Sequence, residues 1–268
     1  MPYRYAHYFY LMLIPASAVA FSGYLSDLPD AGISKHLHAV SATLWILLLA
    51  GQSASIHNGL KGLHRGLGLA SLILFPIYLC GFLLVYRSEA RRIIDGDPWA
   101  AVFGPGIGAI TLIAVAATAY MYYSGLRERR NVQLHARWML VTVFLFSESV
   151  LGRILNTFVP WLYVNQLEDV RRIYDAFHLS QLIAILLALG LFLLNRRHGK
   201  PFTFLIAVLI AQSIALELFD DFESWRAFFV NSGSWPLMTF ASAGLLAGCL
   251  LVFYGWNNGR RQKAGRLA

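Results

Sequence analysis

The sequence predicts an all-α membrane protein, a polytopic bundle of about eight transmembrane helices in one domain that covers residues 1–268. Hydrophobic residues make up 57% of the chain and charged residues 13%, which is about half the charged share of a soluble domain. Long apolar runs recur, and none shows the strict alternation of a β-barrel strand. Because backbone groups in lipid must be satisfied within each segment, the runs are predicted to be helices.

Eight runs approach the roughly 20 residues that a helix needs to cross the hydrocarbon core. They cover residues 8–24, 36–56, 67–85, 101–123, 135–159, 178–194, 202–218 and 235–254. The first run follows Arg4 and is rich in small residues, so it is also compatible with a cleaved signal peptide. In the fourth run, Gly104, Pro105 and Gly106 predict a kink or a break in the helix.

The segments between the runs alternate in charge. One set is basic and comprises residues 61–65, 127–130, 196–200 and the tail 260–266. The other set is acidic or mixed and comprises residues 27–30, 87–97, 168–175 and 220–223. The positive-inside rule then predicts that both termini are cytoplasmic, in a bacterial inner membrane. It also explains the net charge of +8 by lipid headgroups, so the lipid bilayer, and not nucleic acid, is the expected partner.

Several enzyme classes lack their sequence signals. Cys80 and Cys249 lie inside apolar runs without a CxxC spacing, which disfavours a disulfide or a thiolate metal site. The chain has no GxSxG, HExxH, phosphate-loop, dinucleotide or CxxCH motif. If the protein is an enzyme, we expect it to be a membrane oxidoreductase.

Four histidines lie at the starts of apolar runs. His38 and His178 begin runs that are entered from the outer side, and His64 and His135 begin runs that are entered from the cytoplasm. Ionisable residues at such depths are functional candidates, and histidine is the common ligand of haem iron. The layout therefore predicts b-type haem near one or both membrane faces. The competing interpretation is that these rings only anchor helix ends at the headgroups.

Three arginines are candidates for binding the propionates of such a haem. Arg65 and Arg137 lie beside the cytoplasmic histidines. Arg153 lies about 27 Å from His135 along one helix, which places it at the outer depth. There it can bind an outer propionate or the carboxylate of a lipid or quinone-like ligand.

Two other functions stay open at this point. In the first, Glu148, Arg153, Gln52 and His178 line the cavity of a transporter or a small-molecule-binding membrane protein. In the second, the chain is a structural or assembly partner without chemistry of its own.

Part of the chain resembles an uncharacterised family of bacterial multi-pass membrane proteins. That family has a His-Arg-x-Leu-Gly stretch at one helix start and a His-x-Arg-x-Met stretch at another. The likeness covers the second to fifth runs and implies no activity. It rests on these stretches: His38 with Trp45 and Gln52, then His64-Arg65-Gly66-Leu67-Gly68, then His135-Ala136-Arg137-Trp138-Met139.

The layout more distantly resembles diheme transmembrane b-type cytochromes, in which histidines on adjacent helices ligate one haem near each face. This resemblance implies His64 with His135 as ligands of an inner haem and His38 with His178 as ligands of an outer haem. It further implies one or two haem b groups, electron transport, and a quinone or another redox partner.

Overall fold

The computed structural model describes residues 2–264 and the side chains of residues 2–259. Within this part, the chain folds into α-helices and short 3-10 turns, with no β-strand, so the predicted all-α fold is confirmed. The side chains of the basic tail, residues 260–266, lie outside the described residues.

Ten α-helices form the bundle within residues 2–264. Their bounds are α1 Ala6–Ala20, α2 Ser22–Ser26, α3 Ile33–His57, α4 Lys61–Ile94, α5 Pro98–Arg127, α6 Val132–Phe158, α7 Arg171–Leu194, α8 Lys200–Asp220, α9 Glu223–Ser232 and α10 Leu237–Ala264. Seven of these helices, α3 to α8 and α10, are long and apolar enough to cross a membrane. The chain is therefore an integral, multi-pass membrane protein that contacts the lipid bilayer.

The first predicted run is not one helix, because Phe21 separates α1 from α2. The segment nevertheless follows α6 along most of its length. The Arg137 guanidinium lies 5.3 Å from the centre of the Tyr3 ring, and the Arg153 guanidinium lies 4.6 Å from the centre of the Phe21 ring. Residues 137 and 153 are about 24 Å apart along the axis of α6. Helix α1 has 15 residues and is shorter than the seven candidate spans, so the first of the eight predicted runs is not confirmed as a membrane span.

Successive long helices run in opposite directions. We call the end that carries residues 61–65, 127–130 and 196–200 the basic end, and the end that carries residues 27–30, 168–175 and 220–223 the acidic end. In sequence order from α3 to α8, each helix packs against the next one. In addition, α10 packs against α4 and α5, and α1 packs against α3 and α6. Trp45 of α3 is 1% exposed and stacks on Tyr78 of α4.

Glycines let α10 approach α4 closely. A Cβ atom added at Gly244 would lie 2.6 Å from the Cα of Cys80, and one added at Gly248 would lie 2.4 Å from the Cα of Pro76. Both distances are too short for any side chain, and the obstructing atoms are backbone. The two glycines, four residues apart, form the small-residue contact that is typical of close helix packing in membranes.

Helix α5 continues through Pro105, so a break at this position, one of the two predicted outcomes, is wrong. Proline has no N–H group, and the carbonyl of Ala101 therefore lacks its helical donor. The Arg226 guanidinium donates a hydrogen bond to this carbonyl. The indole of Trp225 donates to the carbonyl of Pro105 at 2.8 Å. Both residues lie on α9, which follows the acidic segment 220–223 and was not among the predicted runs.

We expect the substitution Gly248→Ala to lower the free energy of unfolding by about 1–3 kcal/mol, because the added methyl group collides with the backbone of α4. Thermal unfolding of the purified protein in detergent measures the change. Gly190→Ala on α7 is the matched control, since a Cβ atom there meets nothing within 4 Å. Equal stability of the two variants would contradict close packing at Gly248.

Candidate functional site

Two histidines at the basic end share one hydrogen-bonding arrangement. His64 and His135 are each the fourth residue of their helices, α4 and α6. The Nδ1 atom of His64 lies 3.1 Å from the carbonyl oxygen of Gln52, and that of His135 lies 2.8 Å from the carbonyl oxygen of Gly125. A carbonyl oxygen only accepts hydrogen bonds, so Nδ1 carries the proton in both neutral rings. Each Nε2 is left unprotonated, and a metal can bind it.

The fold brings these two imidazoles close enough to interact electrostatically. Helix α5 packs against both α4 and α6, and its last turn supplies the Gly125 carbonyl. Carbonyls in the last turn of a helix lack helical donors, which makes this oxygen available. The site therefore combines two imidazoles from different helices.

His57, at the end of α3, has the same arrangement at its Nδ1. Its Nδ1 lies 2.7 Å from the carbonyl oxygen of Ser53, and its Nε2 is buried without a hydrogen-bond partner among the described residues. In the part of the chain that the structure describes, no three histidine, cysteine or acidic side chains come together as a metal site. A donor set of two imidazoles fits haem iron better than a tetrahedral zinc ion.

The two arginines predicted to accompany the inner histidines lie in different surroundings. Arg65 is exposed, whereas Arg137 is 3% exposed. Arg137 lies two residues after His135, which corresponds to about 200° around the helix and places it on the opposite face of α6. Its guanidinium donates to the carbonyl and side-chain oxygens of Gln133 at 2.8 and 2.6 Å. Arg137 therefore stabilises the packing of α6 and does not face the His135 ring.

The cation that interacts with His135 is Arg129, which the sequence analysis counted only as part of a basic loop. Its guanidinium lies 4.4 Å from the centre of the Trp256 ring and donates to the carbonyl of Leu126. Helix α10 thus contributes an aromatic ring that holds this arginine at the basic end.

The structure does not bring His38 and His178 together. Helix α3 packs against α1 and α4, whereas α7 packs against α6 and α8. The His38 ring lies 4.6 Å from the Phe82 ring, and its Nδ1 is buried without a partner among the described side chains. Arg153 lies within electrostatic range of His38 and donates hydrogen bonds to Ser149. Within the described residues these two histidines have separate surroundings, and the outer haem stays a prediction.

His178 also differs from the other candidates in its own bonding. It is the eighth residue of α7, not the first residue of a helix as predicted. Its Nδ1 lies 3.0 Å from the hydroxyl of Ser213, and its Nε2 lies 2.7 Å from a carboxylate oxygen of Glu217. Iron ligation would require this ring to give up one of those bonds.

Glu148 lies in a buried polar cluster. The carboxyl group is 3% exposed and lies within hydrogen-bonding range of Gln181 on α7 and Gln212 on α8, each 1% exposed. Gln181 and Gln212 were not among the predicted site residues. The signal that could have identified them is the presence of uncharged polar residues inside apolar runs, since such residues usually hydrogen-bond across helices.

The four residues predicted to line a transporter cavity are not gathered in one place. Gln52 faces Gly68 of α4, and its carbonyl binds His64. Arg153 faces Ser149 and Phe21. Only Glu148 and His178 are connected, through hydrogen-bonding residues of α7 and α8.

No family model, curated protein or solved structure matches this chain. The likeness to bacterial multi-pass proteins and to diheme cytochromes stays a prediction, and the function must be argued from the geometry.

We expect the neutral rings of His64 and His135 to carry their proton on Nδ1. The reason is that each Nδ1 faces a backbone carbonyl, which cannot donate. Solid-state nuclear magnetic resonance of isotope-labelled histidine in the ligand-free protein measures the tautomer. Substitution of each histidine by glutamine assigns its signal, and protonation at Nε2 in either ring would contradict the described hydrogen bonds.

Proposed function

We propose that this chain is an integral membrane electron-transfer protein that binds one b-type haem at the basic end of the bundle, with His64 and His135 as axial ligands. The observation that carries the proposal is the paired arrangement of these rings. Each donates Nδ1–H to a backbone carbonyl and keeps Nε2 free, and the two rings lie at one end of the bundle on different helices. Metal-binding histidines typically have such a second hydrogen bond.

The surrounding residues fit this group. The carbonyls of Gln52 and Gly125 fix the orientation of the two rings. Arg129, which interacts with His135, and exposed Arg65 supply positive charge for the propionates. When bound, haem supplies one-electron redox chemistry, and the protein supplies ligands, depth and charge.

One haem is proposed, and not two, because both ring nitrogens of His178, one of the two predicted outer ligands, have side-chain partners. A single site near one end suits electron exchange at one membrane face. If the basic end is cytoplasmic, as the positive-inside rule predicts for a bacterial inner membrane, the electron donor or acceptor approaches from that side. A quinone within the bilayer or a cytoplasmic redox protein meets this requirement.

The proposal predicts a reducible b-type haem spectrum for protein purified in mild detergent from cells that make haem. His64→Ala and His135→Ala should each remove most of the haem absorbance, because one axial ligand is lost in each variant. His178→Ala should keep it, because this ring is bonded to Ser213 and Glu217. The haem content of the wild type and of the three variants is measured as reduced-minus-oxidised absorbance, normalised to protein.

Loss of haem through misfolding is distinguished by chemical rescue. His64→Gly leaves room for free imidazole, and added imidazole should restore the spectrum if His64 acts as a ligand. Gel filtration establishes that each variant is folded and monodisperse. The proposal fails if the wild-type protein binds no haem, or if both alanine variants keep the full absorbance.

A further inference from the structure

The Glu148 cluster has hydrogen-bonding capacity that the described side chains do not use. Two acceptors, Glu148 Oε2 and Gln212 Oε1, and one donor, Gln181 Nε2, are buried without a well-aligned partner. Buried polar atoms nearly always have a partner, so this set requires an explanation. One water molecule can donate two hydrogen bonds and accept two, which is enough for these three atoms, and buried waters usually bind two to four polar partners.

A line of hydrogen bonds connects this cluster to the surface of the acidic end. The Ser213 hydroxyl donates to Gln181 Oε1 at 2.5 Å, and the Nδ1 of His178 lies 3.0 Å from the same hydroxyl. The Nε2 of His178 lies 2.7 Å from Glu217 Oε1. Arg171 donates to the other carboxylate oxygen of Glu217 at 2.7 Å. Exposure of the side chain rises from 28% at His178 to 39% at Glu217.

The hydrogen bonds between Gln181 and Glu217 indicate which atoms carry protons. Ser213 has one proton and donates it to Gln181, so the Nδ1 of His178 must donate to Ser213. A carboxylate oxygen accepts only, so the short contact between Nε2 and Glu217 also needs a proton. The pair of His178 and Glu217 therefore holds one proton beyond neutral imidazole and ionised carboxylate, in either of two positions.

The charged groups along this hydrogen-bond path lie near the surface of the acidic end. Arg171 and Asp175 of α7 are an ion pair at 3.7 Å, and Arg171 also binds Glu217. Further inward, the neighbours of Glu148 on α7 and α8 are uncharged glutamines. A proton that enters from the acidic end therefore passes from a charged, exposed region into a neutral, buried one.

We propose that this chain exchanges protons between its acidic end and the buried carboxyl of Glu148, through Glu217, His178, Ser213 and a water molecule held by Gln181 and Gln212. A proton from solvent binds at Glu217 and passes to the Nε2 of His178. The Nδ1 proton moves to the oxygen of Ser213, and the hydroxyl proton of Ser213 leaves its hydrogen bond with Gln181 Oε1 and passes to a free lone pair of the water. The water in turn releases a proton to Glu148 Oε2, and the reverse sequence returns it. Gln181 and Gln212 position the water and are not ionised.

Infrared spectroscopy of the full-length protein in lipid tests this path. The carbonyl stretch of a protonated carboxyl group that is present in the wild type and absent in Glu148→Gln belongs to Glu148. On transfer to heavy water this band shifts as the proton exchanges. We expect Ser213→Ala to slow the shift by about tenfold or more, the factor expected from losing one buried hydrogen bond. Ser213→Thr keeps the hydroxyl and should exchange at the wild-type rate.

Ser180→Ala is the control, because Ser180 is a buried serine of α7 that donates to the carbonyl of Phe177, off the path. Its exchange should match the wild type. The proposal is overturned if Glu148→Gln removes no carboxyl band, if Ser213→Ala exchanges at the wild-type rate, or if Ser180→Ala slows exchange equally. His64→Ala should leave the exchange unchanged, so this test does not depend on haem binding.

Discussion

The number of ring nitrogens that already have a hydrogen-bond partner decides what each buried histidine of this bundle can bind. In a membrane no bulk water competes for these atoms, so the partner that the chain provides fixes the state of the ring. At the basic end, backbone carbonyls bind one nitrogen of His64 and of His135 and leave the other free. At the acidic end, side chains bind both nitrogens of His178. The first arrangement suits a metal ligand, and the second suits proton transfer.

Hydropathy predicted the depth of the candidate residues well and their neighbours poorly. Apolar runs located the long helices because lipid imposes length and composition on every span. They gave no information on which helices pack together, and so His38 and His178 were paired by depth although α3 and α7 are separated in the bundle. Helix α9 was missed because its 10 residues are too few to form a span.

The sequence analysis also did not take into account on which face of its helix each side chain lies. Arg137 was assigned to the haem because it is close to His135 in sequence, yet it binds Gln133 on another face of α6. The role of Arg226 required knowledge of both α5 and α9, since its guanidinium satisfies the carbonyl that Pro105 leaves without a donor. Such contacts between distant segments follow from packing, and no local pattern in the sequence indicates them.

Helix α6 carries a residue of each proposed site, which raises the question of whether they are coupled. His135 and Glu148 are thirteen positions apart, or about 20 Å along the axis, and lie about 140° apart around it. One unit charge at that distance interacts with another by about 0.8 kcal/mol at an effective dielectric constant near 20. Since a tenfold shift requires about 1.4 kcal/mol, electron transfer at the basic end changes the protonation of Glu148 by less than tenfold. Direct electrostatic coupling is therefore too weak to drive protons, and a redox-driven pump would need a conformational change that moves α6 against α7 and α8.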